Sequence, residues 1–114
     1  MQAGVPVVEF VAMDKVNGTW TAHVTVRHED TGWNHYADAW RIVDPDHKVL
    51  GTRALYHPHE TEQPFTRSLS GIAIPLSVTW VVVQAHDKVH GWGGGVRVDL
   101  LQPEGTHFRI RRRD

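Results

Sequence analysis

From Thr19 to Arg27 apolar and polar residues alternate without a break. Trp20, Ala22, Val24 and Val26 share one face, and Thr19, Thr21, His23, Thr25 and Arg27 the other. A period of two marks a half-buried strand, and β-branched threonines suit its solvent side. Asn17-Gly18, immediately before, is a strong turn signal. The run Val5 to Met13 reads as a preceding strand. Tyr36 to Val43 reads as a third, with Trp40 and Ile42 in phase and Asp44-Pro45-Asp46 turning the chain after it. Lys48 to Tyr56 forms a fourth strand weakened by Gly51, and Thr66 to Ile74 a fifth without clear phase. Val78 to Ala85 is apolar on both faces, which predicts a central strand. After Gly93-Gly94-Gly95, Val96, Val98 and Leu100 alternate with Arg97 and Asp99 in a seventh.

Seven short strands, turn signals between them and no helical period predict an all-β fold: a seven-stranded antiparallel immunoglobulin-like sandwich over residues 1–101. Trp20, Val24, Trp40, Val81, Val83 and Val98 should lie between its two sheets, with Trp40 as the central large side chain. The C-terminal tail, residues 102–114, alternates at Phe108 and Ile110 and is expected to add an edge strand. The chain of 114 residues is the size of one domain and can bury a core without disulfides, of which its zero cysteines allow none. A formal charge of −1 provides no global field for nucleic acid, and no apolar run is long enough for a membrane span.

Val81-x-Val83-x-Ala85-x-Asp87, Gly91 and Val96-x-Val98 resemble the hairpin of the last two strands in immunoglobulin-like and fibronectin-type-III-like modules. The stretches Trp33-Asn34-His35-Tyr36-Ala37-Asp38, His57-Pro58-His59-Glu60, Glu62-Gln63-Pro64-Phe65-Thr66-Arg67-Ser68 and Val89-His90-Gly91-Trp92-Gly93-Gly94 resemble a group of small, uncharacterised bacterial exported proteins. That resemblance implies a periplasmic or secreted home. It implies no activity and no functional residues.

Nine residues are histidine. In a sandwich of this type the loops after the second, fourth and sixth strands lie at one end. Those loops and their edges hold His28, His35, His57, His59, His86 and His90, together with Glu60, Glu62 and Asp87, while His47 falls at the other end. Imidazole and carboxylate are ligands for zinc or copper(II), and the absence of thiolate excludes sulfur sites. His57-x-His59 places two imidazoles on one side of an extended segment. The expected ligands are His35, His57, His59 and His90. Asp38, Glu60, Glu62, His28, His86 and Asp87 are weaker ligands or supporting groups, and Asp38, in phase with Trp40, should point inward. Arg67 is a partner for Asp38 or Glu62.

The sequence carries no Gly-x-Ser-x-Gly elbow, phosphate-binding glycine loop or paired-carboxylate signature, so the expected function is non-enzymatic. Two readings stay open. One is a domain that binds a divalent metal, zinc or copper, at its histidine-rich end. The other is an interaction or structural module for a protein partner, whose contact surface includes Trp33 and Trp92.

Overall fold

The computed structural model describes residues 5–28, 35–57, 59 and 62–113. They form ten strands and no helix: β1 (Val7–Val16), β2 (Thr19–Arg27), β3 (Ala37–Val43), β4 (Val49–Ala54), β5 (Phe65–Ile72), β6 (Trp80–Asp87), β7 (Gly91–Trp92), β8 (Val96–Asp99), β9 (Glu104–Gly105) and β10 (Phe108–Arg112). One sheet has the order β5-β2-β1-β10-β9. The other has β4-β3-β6-β7, and β8 also pairs with β6. None of the described residues lies in a helix long and apolar enough to cross a membrane.

The core lies between the sheets and is built from their period-2 stripes. β2 contributes Trp20, Ala22, Val24 and Val26, β3 contributes Trp40 and Ile42, and β6 contributes Val81, Val83 and Ala85, all buried. Trp40 is fully buried, as is Val98 of β8. The central position expected for the sixth strand holds, since β6 has β3 on one side and β7 and β8 on the other.

The strand count differs from seven for two physical reasons. First, the segment before the predicted seventh strand, expected as loop, carries a short strand of its own, β7, ahead of β8. β7 pairs with His86 and Asp87, β8 pairs with Trp80 to Val83, and the glycine run bridges them. A Cβ on Gly95 would collide with the Val83 carbonyl oxygen, so only glycine lets the chain pass so near β6. Gly51 on β4 is different, because a Cβ there would meet only the Leu69 side-chain terminus, 2.9 Å away, which can move aside. Second, the segment beyond residue 101 returns to the first sheet. β8 runs antiparallel to β6 and delivers the chain to the pole where β1 ends. Short β9 runs back from that pole, and β10 then descends beside β1. β10 therefore pairs parallel with β1, Val11 opposite Phe108 and Met13 opposite Ile110, and β9 forms the sheet edge. That one parallel ladder departs from the wholly antiparallel expectation.

Two bulges re-aim side chains. The register of β1 on β2 shifts between Val8 and Phe10, which buries Val8 and Val11 and leaves Phe10 exposed. The register of β3 on β6 shifts between Ala37 and Ala39. Ala37 therefore takes the inward position, and Asp38, expected inward from its phase with Trp40, turns outward to His86.

Candidate metal centre

The inward stripes of β2 and β6 run on past their last apolar residue. After Val24 and Val26 the next inward position is His28, and after Val83 and Ala85 it is Asp87. The two strands belong to opposite sheets and end at the same pole. Their terminal polar residues meet there, with His28 Nε2 2.9 Å from Asp87 Oδ2 and both side chains wholly buried. A carboxylate at such a depth must be intensively hydrogen-bonded.

The partners are supplied locally. In the turn from β6 to β7, Asp87 Oδ1 accepts the backbone N–H of Val89 at 2.8 Å and that of His90. This is the turn aspartate chemistry that caps its own chain two and three residues on. The same turn brings the His90 ring back, Nδ1 2.8 Å from Oδ2. His35, at the end of the β2–β3 loop, places Nε2 3.1 Å from the same oxygen. Three imidazoles thus converge on one carboxylate oxygen. Burial opposes charge on Asp87. The backbone bond from His90 and the imidazole bonds from His90, His35 and His28 outweigh it, so the carboxyl is held well below the usual carboxylate range.

His28, His35 and Asp87 each offer one ligand atom, and those atoms lie within 4.8 Å of one another. A tetrahedral zinc site, with bonds near 2.0–2.1 Å, needs ligand atoms about 3.3 Å apart. The carboxylate-to-imidazole distances of 2.8–3.1 Å are already near that value. The rings of His28 and His35 stand edge to face, centroids 4.8 Å apart. His35 and His90 are partly exposed, at 21% and 31% of their side chains, whereas His28 and Asp87 are sealed.

The other predicted residues are arranged differently. His57 and His59 do lie side by side, ring centroids 4.7 Å apart, but outside the cluster around Asp87. His59 is buried and stacks on Phe65 at 4.0 Å, which uses its ring as an aromatic packing element. Its carbonyl accepts from Gln63, whose own side-chain oxygen accepts the N–H of His28 at 3.0 Å. Gln63 therefore ties the β4–β5 loop to the end of β2. His86 bonds Asp38 on the outer face of its sheet, Nδ1 to Oδ1 2.5 Å, and contacts Trp92 there. Trp92, 37% exposed, lies under the Arg41 guanidinium at 3.9 Å, so it belongs to the sheet's outer face. Glu62 pairs with Arg67 at 3.0 Å, and that bond holds its carboxyl below the usual range. Trp33 and Glu60 lie outside the described residues.

No family model matches the chain, and no solved structure matches it. Among curated proteins it is similar to one from Halomicrobium mukohataei described as "Putative lipoprotein", with 45% identity over 75 residues. The aligned stretch covers 66% of this chain and 36% of that protein, so the chain spans little more than a third of the relative it matches.

Proposed function

We propose that the protein is a non-enzymatic binder of a divalent metal, zinc or copper(II), on an immunoglobulin-like scaffold. The scaffold reading is supported by the partition of strands: β1, β2 and β5 face β3, β6 and the β7–β8 pair, with β4 attached to β3. An exported setting is supported by the lipoprotein description of the relative. The observation that carries the function is the convergence of His28, His35 and His90 on the buried oxygen of Asp87.

Without metal the three ring nitrogens can donate to the carboxylate. With metal each presents a lone pair instead, and its proton moves to the other ring nitrogen or to solvent. Metal replaces three hydrogen bonds with bonds of fixed geometry and clips the ends of the two sheets together. Donors of the N₃O type suit zinc and copper(II) alike. In this reading His59, stacked on Phe65, and His57 beside it support the loop rather than serve as ligands.

The test is thermal unfolding with and without metal. At a free metal concentration of about 100 times Kd, stabilisation is about 2.7 kcal/mol. For a domain of this size that corresponds to a Tm rise of roughly 10 °C. His35→Ala, at a partly exposed position, should fold and lose most of this rise. His57→Ala and His47→Ala should keep it. An equal loss in all three variants would mean that metal associates with histidines in general, and the proposal would fail.

A further inference from the structure

His28 reaches Asp87 from just past the end of β2, so its ring is only as well placed as the backbone there. Gln63 holds that backbone. Its Oε1 accepts the His28 N–H at 3.0 Å, and its Nε2 donates to the His59 carbonyl at 2.7 Å. The amide is used at both ends, and only one orientation meets an N–H with oxygen and a carbonyl with nitrogen. The β4–β5 loop is docked on the same strand end by its neighbours as well. Phe65 pairs with Val26 of β2, and the buried His59 ring stacks on Phe65 at 4.0 Å. Away from this dock the loop turns to solvent. Tyr56 is 77% exposed, and His57 is exposed with its ring 4.7 Å from that of His59.

A metal ligand must be held within about 0.5 Å of its place, by groups that are themselves held. Metal would fix His28 through its ring, and Gln63 fixes it through its N–H. Both restrain the same few bonds. Whichever is in place lowers the entropy that the other must remove, so the two favour each other. Such a coupling is reciprocal. A loop docked through Gln63 raises the affinity for metal, and metal favours the docked loop by the same factor.

We infer, resting on the reading of the Asp87 cluster as a metal centre, that Gln63 links metal occupancy to the β4–β5 loop. It positions His28 for the metal, and a bound metal in turn steadies the loop that presents Tyr56 and His57. Occupancy of a buried centre is thereby displayed at the surface, as the order of that exposed corner.

The experiment is a calorimetric zinc titration of the full chain, paired with amide hydrogen exchange read residue by residue. Gln63 is exposed, so Gln63→Met keeps the length of the side chain, removes both bonds and should leave the circular dichroism spectrum unchanged. In the wild type zinc should slow exchange at His28, Tyr56 and His57 by about fivefold or more. Asp46 and Lys48, whose N–H groups bond Asp44 in the β3–β4 turn, should keep their rates. Gln63→Met should bind zinc about fivefold or more weakly and lose the slowing at Tyr56 and His57. Gln63→Glu keeps the acceptor for His28 but not the donor for His59, so it too should lose the slowing in the loop. Equal zinc affinity in wild type and Gln63→Met overturns the inference and leaves the metal centre standing, as does a loop response that survives in either variant. A wild type that takes up no zinc overturns both.

Discussion

Asp87→Ala is expected to lower the stability of the metal-free protein by about 3–5 kcal/mol, because it removes the acceptor from a buried network and leaves its donors facing each other. Asp87 accepts from two backbone N–H groups and three imidazoles, and its side chain is sealed. The loss is a large share of the 5–15 kcal/mol that holds a typical domain together. Asp87→Asn should cost less. Its remaining oxygen can still accept from Val89 and His90, but its amide N–H₂ opposes the imidazole donors. Acid should reveal the same group. The folded pKa of Asp87 lies below its unfolded value. Its contribution is therefore present in full above the unfolded value of about 3.9 and is lost as pH falls from there through the folded value. Urea unfolding midpoints of wild type and Asp87→Asn should differ most above about pH 4 and draw together below it. A separation that stays the same to pH 2 would show that Asp87 acts by packing alone.

Trp40→Ala is the second large effect, expected at about 3–5 kcal/mol through the cavity it opens. Trp40 is wholly buried at the middle of β3, paired with Ala85 on one side and Arg53 on the other. Among the described residues its indole N–H has no hydrogen-bond partner, so its contribution is apolar area and not a polar bond. Trp40→Phe keeps most of that area and removes the buried donor. It should therefore cost about 2 kcal/mol or less. Chemical denaturation of the two variants checks both values. Equal losses would show that the indole nitrogen matters after all.

Much of this architecture is written in local pattern. β2 spans Thr19 to Arg27, as the alternation predicts, because period 2 persists across its whole length. The same arithmetic, carried two residues further, points His28 inward after Val26 and Asp87 inward after Ala85. The alternation Val81-x-Val83-x-Ala85-x-Asp87 thus carries the sign of the buried cluster, a carboxylate on a core stripe. Imidazole count and loop membership point instead to His57 and His59. The placement of His35 and His90 is a matter of loop and turn conformation, which residue spacing does not define. The outward turn of Asp38 depends on a bulge between Ala37 and Ala39, and a bulge leaves no mark in the alternation. The β10 ladder joins residues nearly the whole chain apart. Phe108 and Ile110 announce a strand there, but which strand it joins, and in which direction, follows from where β8 delivers the chain.

The most direct measurement of the central claim is a long-range ¹H–¹⁵N spectrum of the histidine rings during titration with zinc. Coordination moves the resonance of the bound nitrogen and fixes the tautomer of its ring. Saturable changes are expected at Nε2 of His28, Nε2 of His35 and Nδ1 of His90, while His23, His47 and His107 stay as they were. Changes centred on His57 and His59, or graded over all nine rings, would contradict it.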